Sequence, residues 1–299
     1  MNFRTDLAIE RHETVQNGEP EGVKLEAEER DGVKISHITV INEDGERALG
    51  KRRGRYITVE LPSLGKAGEK TDEWSGILSR EIKSLLPEAE GTVLVAGLGN
   101  RDITPDALGP DCISLLLATR HLGGELEKIP ALSGLNSVAG IVPGVLGNTG
   151  IETAEILKGI VRQIEPVAVI VIDALAARSL ERLGNTVQMC DTGVSPGSGV
   201  GNRRREINRE LLGVPVIAVG VPTVVDGITV ALDVLEAGGV TLSEEKRDKI
   251  LQSEKGMMVT PKEIDLVIKR ASSLVALAIN RALQPSLSAD EIMSLVATV

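Results

Sequence analysis

The sequence predicts an α/β fold, a twisted and mostly parallel β-sheet with flanking helices, plus an antiparallel β region near the N-terminus. Three observations predict it. Short, continuously apolar runs recur beyond residue 90, as strands covered on both faces require. Segments with helical spacing lie between them, where crossover connections belong. Residues 20–65 instead place alternating apolar and polar positions around Asp-Gly pairs, the pattern of hairpins.

In chain order, Val23–Arg30 and Val33–Val40 flank Asp31-Gly32, a pair suited to the positive backbone angles of a two-residue hairpin turn. Asp44-Gly45 gives a second turn signal, and residues 55–61 alternate, so a third strand is expected there. The apolar runs 92–97, 167–172 and 214–220 are expected as buried parallel strands. Helices are expected over 107–122, 151–163 and 203–212. After the start signal Thr260-Pro261, Ile264, Val267, Ile268, Ala271, Val275 and Ala278 keep an i, i+3, i+4 rhythm, which is a packed helix. Residues 284–288 read as a short linker to a last helix, and no internal repeat interrupts the series.

Composition narrows the function. The chain has 299 residues and a net charge of −10, a length suited to one large domain or at most two. Its aromatic residues are a single Phe3, Tyr56 and Trp74, which removes the stacking platforms of single-strand binders, so no direct nucleic-acid partner is expected. Cys112, Cys190, His12, His37 and His121 are scattered without metal-ligand spacing; no metal, no cofactor and no disulfide framework are expected, in a reducing cytoplasm. No apolar run approaches the roughly 20 residues that span a bilayer, and residues 1–10 lack the apolar stretch of a secretory signal. The expectation is a protein without a membrane.

In open α/β sheets, chemistry gathers where the strands end. One such loop runs Gly97-Leu-Gly-Asn-Arg-Asp-Ile-Thr-Pro-Asp-Ala-Leu-Gly-Pro110. Asp102 stands where a dinucleotide fingerprint needs its third glycine. Thr104 and Pro105 read as an N-cap and first helical residue, placing Asp106 in the first turn, where it either complements the helix dipole or serves a reaction. Gly99, Asn100 and Asp102 are candidate groove residues beside it. The second loop follows Val169-Ile-Val-Ile-Asp173. A carboxyl at the mouth of so apolar a strand is costly unless paired, protonated or used; Asp173 either caps the segment beginning at Ala174 or is catalytic.

If the two strand ends are neighbours, Asp106 and Asp173 face each other and share a proton, one serving as base and the other as acid. That division of labour hydrolyses amides. Position favours ionised Asp106 and protonated Asp173. Asp191-Thr-Gly matches the triplet of pepsin-like proteases, yet those are all-β, and Asp191 reads first as a turn former. The glycine loop 195–202, with Ser195 and Gly197, is a candidate wall of a substrate groove. No Gly-x-Ser-x-Gly elbow occurs, neither cysteine has a histidine near it in sequence, and the basic runs 51–55 and 203–205 read as solvated surface. Two alternatives remain on this scaffold. One is a metal-dependent peptidase of maturation type with Asp106 or Asp173 as ligands. The other is a non-catalytic protein whose glycine loops hold a small anion.

Four motifs, Thr104-Pro-Asp-Ala-Leu-Gly-Pro110, Val171-Ile-Asp-Ala-Leu-Ala-Ala-Arg-Ser179, Asp191-Thr-Gly-Val-Ser-Pro-Gly-Ser-Gly-Val-Gly-Asn202 and Met258-Val-Thr-Pro-Lys-Glu-Ile-Asp265, resemble the germination proteases of spore-forming bacteria, in the expected order and over nearly the whole chain. The resemblance implies an endopeptidase that degrades small acid-soluble spore proteins as spores germinate. It implies an α/β core similar to that of hydrogenase-maturation endopeptidases and an atypical aspartic mechanism, with the family's two essential aspartates falling on Asp106 and Asp173. It implies a homotetramer in the cytoplasm of the forespore and spore core, made as a precursor that removes its own N-terminal segment. Family substrates are cut in a motif like Thr-Glu-Phe/Ile-Ala-Ser-Glu after the first acidic residue. Thr5-Asp-Leu-Ala-Ile-Glu10 is similar to it. Self-cleavage is therefore expected between Asp6 and Leu7, leaving 1–6 as propeptide and 7–299 as a single endopeptidase domain.

Overall fold

The computed structural model describes residues 5–15, 20–62, 67–123, 134–199, 201, 204–240, 242–243, 245–246, 250 and 256–298. Among these, the strands β1 (Val23–Arg30), β2 (Val33–Val40), β3 (Gly54–Glu60), β4 (Val93–Gly97), β5 (Val138–Ile141), β6 (Ala168–Ala177), β7 (Thr186–Cys190), β8 (Val216–Asp226) and β9 (Met258–Val259) join one sheet. Their order is β1-β2-β3-β7-β8-β6-β4-β5, with β9 added to β8. The parallel part is the block β8-β6-β4-β5, built from the expected apolar runs and β5. The N-terminal strands are antiparallel and join that block through β7, which is antiparallel to both β3 and β8. Asp31 (φ 54°) and Gly32 (φ 75°) make the expected hairpin turn, since both must adopt left-handed angles.

Helices cover both faces. Trp74, Ile77, Leu78 and Ile82 of α3 (Ala67–Leu85) are buried with Leu274, Val275 and Ile279 of the long helix over Ile264–Leu283 against Ile170, Ile172, Ile217 and Val219 of the parallel strands, and the expected last helix follows over Ala289–Thr298. On the other face, Leu157 and Val161 of a helix over Thr153–Ile164 pack with Val169, Val171 and Leu94. Each such side chain contributes about 1.5–3 kcal/mol by leaving water. A third cluster joins Leu7, Ala8 and Ile9 of α1 (Ala8–Glu13) and its flank to Ile38, Tyr56, Leu175 and Ala177. Side chains alternate along β6, so Asp173 shares the face of Val169 and Val171. The pleat thus sets this carboxyl between the second and third clusters.

Several local expectations differ from the structure. Asp44-Gly45 is no hairpin turn: it lies in α2 (Glu43–Leu49), because the Asn42 side chain accepts from the Gly45 amide at 3.0 Å and caps a helix. Thr104 is no N-cap: Ile103 occupies the cap position of a 3₁₀ turn over Thr104–Asp106, with no side-chain cap bond. The helix expected over 107–122 is only α4 (Leu108–Ser114). It stops where Asn280 of the helix over Ile264–Leu283 accepts from the Leu117 amide and donates to the Leu115 carbonyl, both at 2.9 Å, taking backbone groups that a longer helix would use. The segment 203–212 is helical only over Arg209–Leu212. Ile207 exchanges both backbone bonds with Val194 instead, and Arg203 lies outside the described residues. Asp173, expected at the mouth of its strand, lies inside β6, which continues to Ala177 because β8 keeps pairing with it past a register shift at Leu175/Ala176.

Candidate active site

Strand β4 ends at Gly97, and the Leu98 amide donates to the Ile172 carbonyl of β6 at 2.8 Å, holding the two segments side by side. Gly99 then takes φ +112°, where a Cβ would lie 2.0 Å from the Asp106 carbonyl oxygen; only glycine permits the loop to close so tightly. The closure turns the Asn100 amide toward the Asp106 carboxylate, to which it donates at 2.8 Å. The Asn100 side chain in turn accepts from the Asp102 amide at 3.0 Å.

Asp106 and Asp173 both line one cleft of about 1340 Å³. Asp173 is 8% exposed. Burial pushes its carboxyl well above the usual carboxylate range, and the charges of Asp106 and then Asp6 push further in the same direction. Burial also raises Asp106, against which the Asn100 amide stabilises the ionised form. Gly99, Asn100, Ser195 and Gly197 line the cleft as well. Asp102 and Asp191 are not among the lining residues. Asp102 is exposed, and Asp191 accepts from the amide and Nε of Arg55 at 2.8 and 2.9 Å, an ion pair that holds β3 beside β7. Val200 and Asn202 of the glycine loop lie outside the described residues. Both cysteine thiols are free and buried, and burial raises both, which disfavours a thiolate nucleophile. Among the described residues no three His, Cys, Asp or Glu side chains gather as metal ligands, and no helix is long and apolar enough to cross a membrane.

Thr5, Asp6 and Arg11 of the chain's own N-terminal segment line this cleft. The Asp6 amide donates to the Ala176 carbonyl at 2.9 Å, and the Ala176 amide donates to Asp6 Oδ2 at 2.9 Å, so the end of β6 past the register shift reads both the backbone and the acid. Ser198 Oγ donates to Asp6 Oδ1 at 2.8 Å. Leu7 is fully buried in the third cluster. Four residues on from Asp6, Glu10 accepts from the amides of Arg178 and Ser179 at 2.7 and 2.9 Å and from Thr5 Oγ1. Arg182 lies 3.6 Å from it and bridges to Glu13 at 2.6 Å and Glu60 at 2.8 Å. The arrangement seats a peptide carrying acids at both positions.

This seat gives a direct expectation. Glu10→Ala leaves two amides without their acceptor, a loss of about 1.5–3 kcal/mol for a charged hydrogen-bond partner. Cleavage of residues 5–13 by an added non-specific protease should accelerate roughly 10- to 100-fold by mass spectrometry, since the open population governs the rate. Equal rates would show that Glu10 does not hold the segment.

Sequence reasoning missed Lys51 and Gln188. Lys51 sits in a basic run that reads as surface, but its Nζ donates to the Asp6 carbonyl at 2.7 Å. Gln188 lies in β7, whose only signal is a polar residue in a short apolar stretch, and its Nε2 donates to the same carbonyl at 2.9 Å. The three other basic members of that run do form surface ion pairs, Arg52 with Glu206 and Glu210, Arg53 with Glu46, and Arg55 with Asp191.

A family model described as Germination protease matches residues 4–249. The chain is 45% identical to a protein named Germination protease from Caldanaerobacter subterraneus subsp. tengcongensis, over 99% of this chain and 98% of that one. It is 37% identical to a protein of the same name from Priestia megaterium, over 94% of each. Among solved structures, the [NiFe] hydrogenase maturation protease HycI from Thermococcus kodakarensis aligns over 67% of this chain and 98% of its own, with 14% identity and a TM-score of 0.34.

Proposed function

Because the chain belongs to the germination protease family, an endopeptidase family, we propose that it initiates the breakdown of small acid-soluble spore proteins with an Asp106–Asp173 dyad, after cutting itself between Asp6 and Leu7. The observation that carries the proposal is the seat of the N-terminal segment. Thr5 and Asp6 line the same cleft as Asp106 and Asp173, and both acids of the segment, Asp6 and Glu10, are engaged by backbone amides.

Asp106, with the Asn100 amide on its carboxylate, is the base that takes a proton from the attacking water. Asp173, more deeply buried and pushed up by the charges of two other carboxyls, is the member that holds a proton and donates it to the carbonyl oxygen or the leaving amine. The two titrate as a pair, so a pH–rate profile reports values belonging to both. Residues 1–6 are the propeptide and 7–299 the mature endopeptidase domain. The enzyme works as a homotetramer in the cytoplasm of the forespore and the spore core.

The test is to incubate the purified full chain with a small acid-soluble spore protein and determine all new N-termini. Cuts after the first acid of the Thr-Glu-Phe/Ile-Ala-Ser-Glu motif are expected, together with a new start at Leu7 on the enzyme. An intact substrate and an intact enzyme reject the proposal. Light scattering of the eluting protein should give four times the chain mass; a monomer mass rejects the tetramer.

A further inference from the structure

We propose that Lys51 and Gln188 form the site for the carbonyl oxygen of the peptide bond being cut, and stabilise the negative charge that develops on it; this rests on the reading of Asp6–Leu7 as that bond.

Two donors converge on the Asp6 carbonyl oxygen, Lys51 Nζ at 2.7 Å and Gln188 Nε2 at 2.9 Å, within the range for donors that stabilise an oxyanion. Gln188 also accepts from the Ala8 amide through Oε1, at 2.5 Å. Its side chain therefore grips the chain on both sides of the Asp6–Leu7 bond, and only one orientation of the amide satisfies both contacts. The Leu7 nitrogen, which would leave, donates to Thr5 Oγ1 at 3.0 Å. The acid of Asp6 has its own partners in Ala176 and Ser198. The Asp6 side chain thus has hydrogen-bond partners of its own, and the hydrogen bonds of Lys51 and Gln188 to this residue go to its carbonyl. Gly199 closes the seat, since a Cβ there would stand 2.2 Å from Asp6 Oδ2.

With Asp6, Asp106 and Asp173 lining one cleft, each proton and electron pair of the hydrolysis has an assigned role. Water oxygen bonds to the Asp6 carbonyl carbon while one water proton passes to Asp106. The carbonyl π pair moves onto oxygen, between the Lys51 ammonium and the Gln188 amide. That pair re-forms the double bond as the C–N bond breaks, and Asp173 gives its proton to the Leu7 nitrogen. The products are an acid at Asp6 and an amine at Leu7, and the dyad again holds one proton. With the oxygen served by two other donors, the Asp173 proton is free for the leaving nitrogen. Burial draws the Lys51 pKa below the usual lysine value, opposed by Asp6, Cys190 and Glu10 and assisted by Arg11.

The experiment follows self-cleavage of the full chain by intact mass, a unimolecular rate that contains no substrate-binding step. Lys51→Met and Gln188→Leu should each slow it by about 10²–10³-fold relative to the wild type. Amide hydrogen exchange at Asp6 and Ala176 should stay protected, showing the segment still seated. In the wild type the rate should fall at high pH as Lys51 loses its proton; in Lys51→Arg that limb should move to higher pH. Undiminished rates in both variants, or an alkaline limb that Lys51→Arg leaves in place, overturn the inference alone. A wild-type chain that never starts at Leu7 rejects the self-processing reading beneath it. If Lys51→Met exposes the Asp6 amide, the Gln188→Leu rate and the Lys51→Arg limb decide.

Discussion

Asp173→Asn is expected to lower peptide-bond hydrolysis by about 10²–10⁴-fold, the range for a positioned acid or base, and Asp106→Asn by a similar factor. Kinetics on a small acid-soluble spore protein check this, and undiminished turnover in either variant rejects the dyad. Asp173→Asn carries a second signature that an exposed carboxyl would lack. The native pKa of Asp173 is raised by burial first and by Asp106 and Asp6 after it. The folded chain therefore keeps a proton that the unfolded chain releases above about pH 3.9. The stability tied to that proton is fully present below this pH and is lost as pH rises through the raised native value. The amide that replaces the carboxyl in Asp173→Asn does not titrate, so the variant should melt higher than the wild type at neutral pH, by about 2–4 °C for each kcal/mol recovered. The gap should close below about pH 3.9; thermal melts in which it widens on acidification would contradict the burial of this acid.

The second large effect concerns the contact that sets the site. A Cβ on Gly109 of α4 would lie 2.3 Å from the Leu98 carbonyl oxygen and 2.5 Å from the Leu98 nitrogen. Both obstacles are backbone, and the Leu98 amide is already bonded to β6, so the helix rather than a side chain must move. Gly109→Ala is expected to cost about 3 kcal/mol, the upper end for overpacking. Melting should fall by roughly 6–12 °C. Residual folded enzyme should also lose activity, because Asp106 lies just before α4 and moves with it. An unchanged melting temperature would mean that α4 shifts without resistance.

Local chemistry wrote several features directly into the sequence. Asp31-Gly32 folds as the hairpin turn because the pair tolerates left-handed angles in any context, and the three apolar runs become β4, β6 and β8 because strands covered on both faces have no polar side to show. The helix α3 is not read from the sequence, because its charged stretch 67–73 hides the rhythm of Trp74, Ile77, Leu78 and Ile82. Asp44-Gly45 misleads because the same residues suit a hairpin or a first helical turn, and Asn42, two residues before Asp44, decides.

By itself the sequence determined the α/β class, the parallel strands, and the choice of Asp106 and Asp173 as the acids that follow apolar runs. Only the tertiary structure decided where helices stop, that β6 runs past Asp173, and that Lys51 and Gln188, lying 45 and 182 residues from Asp6, meet on its carbonyl. The physical reason is the range of the interactions. Turn angles, caps and apolar periodicity act within a few residues and are printed in their order, whereas a donor's partner across the sheet depends on register and packing that no local pattern encodes.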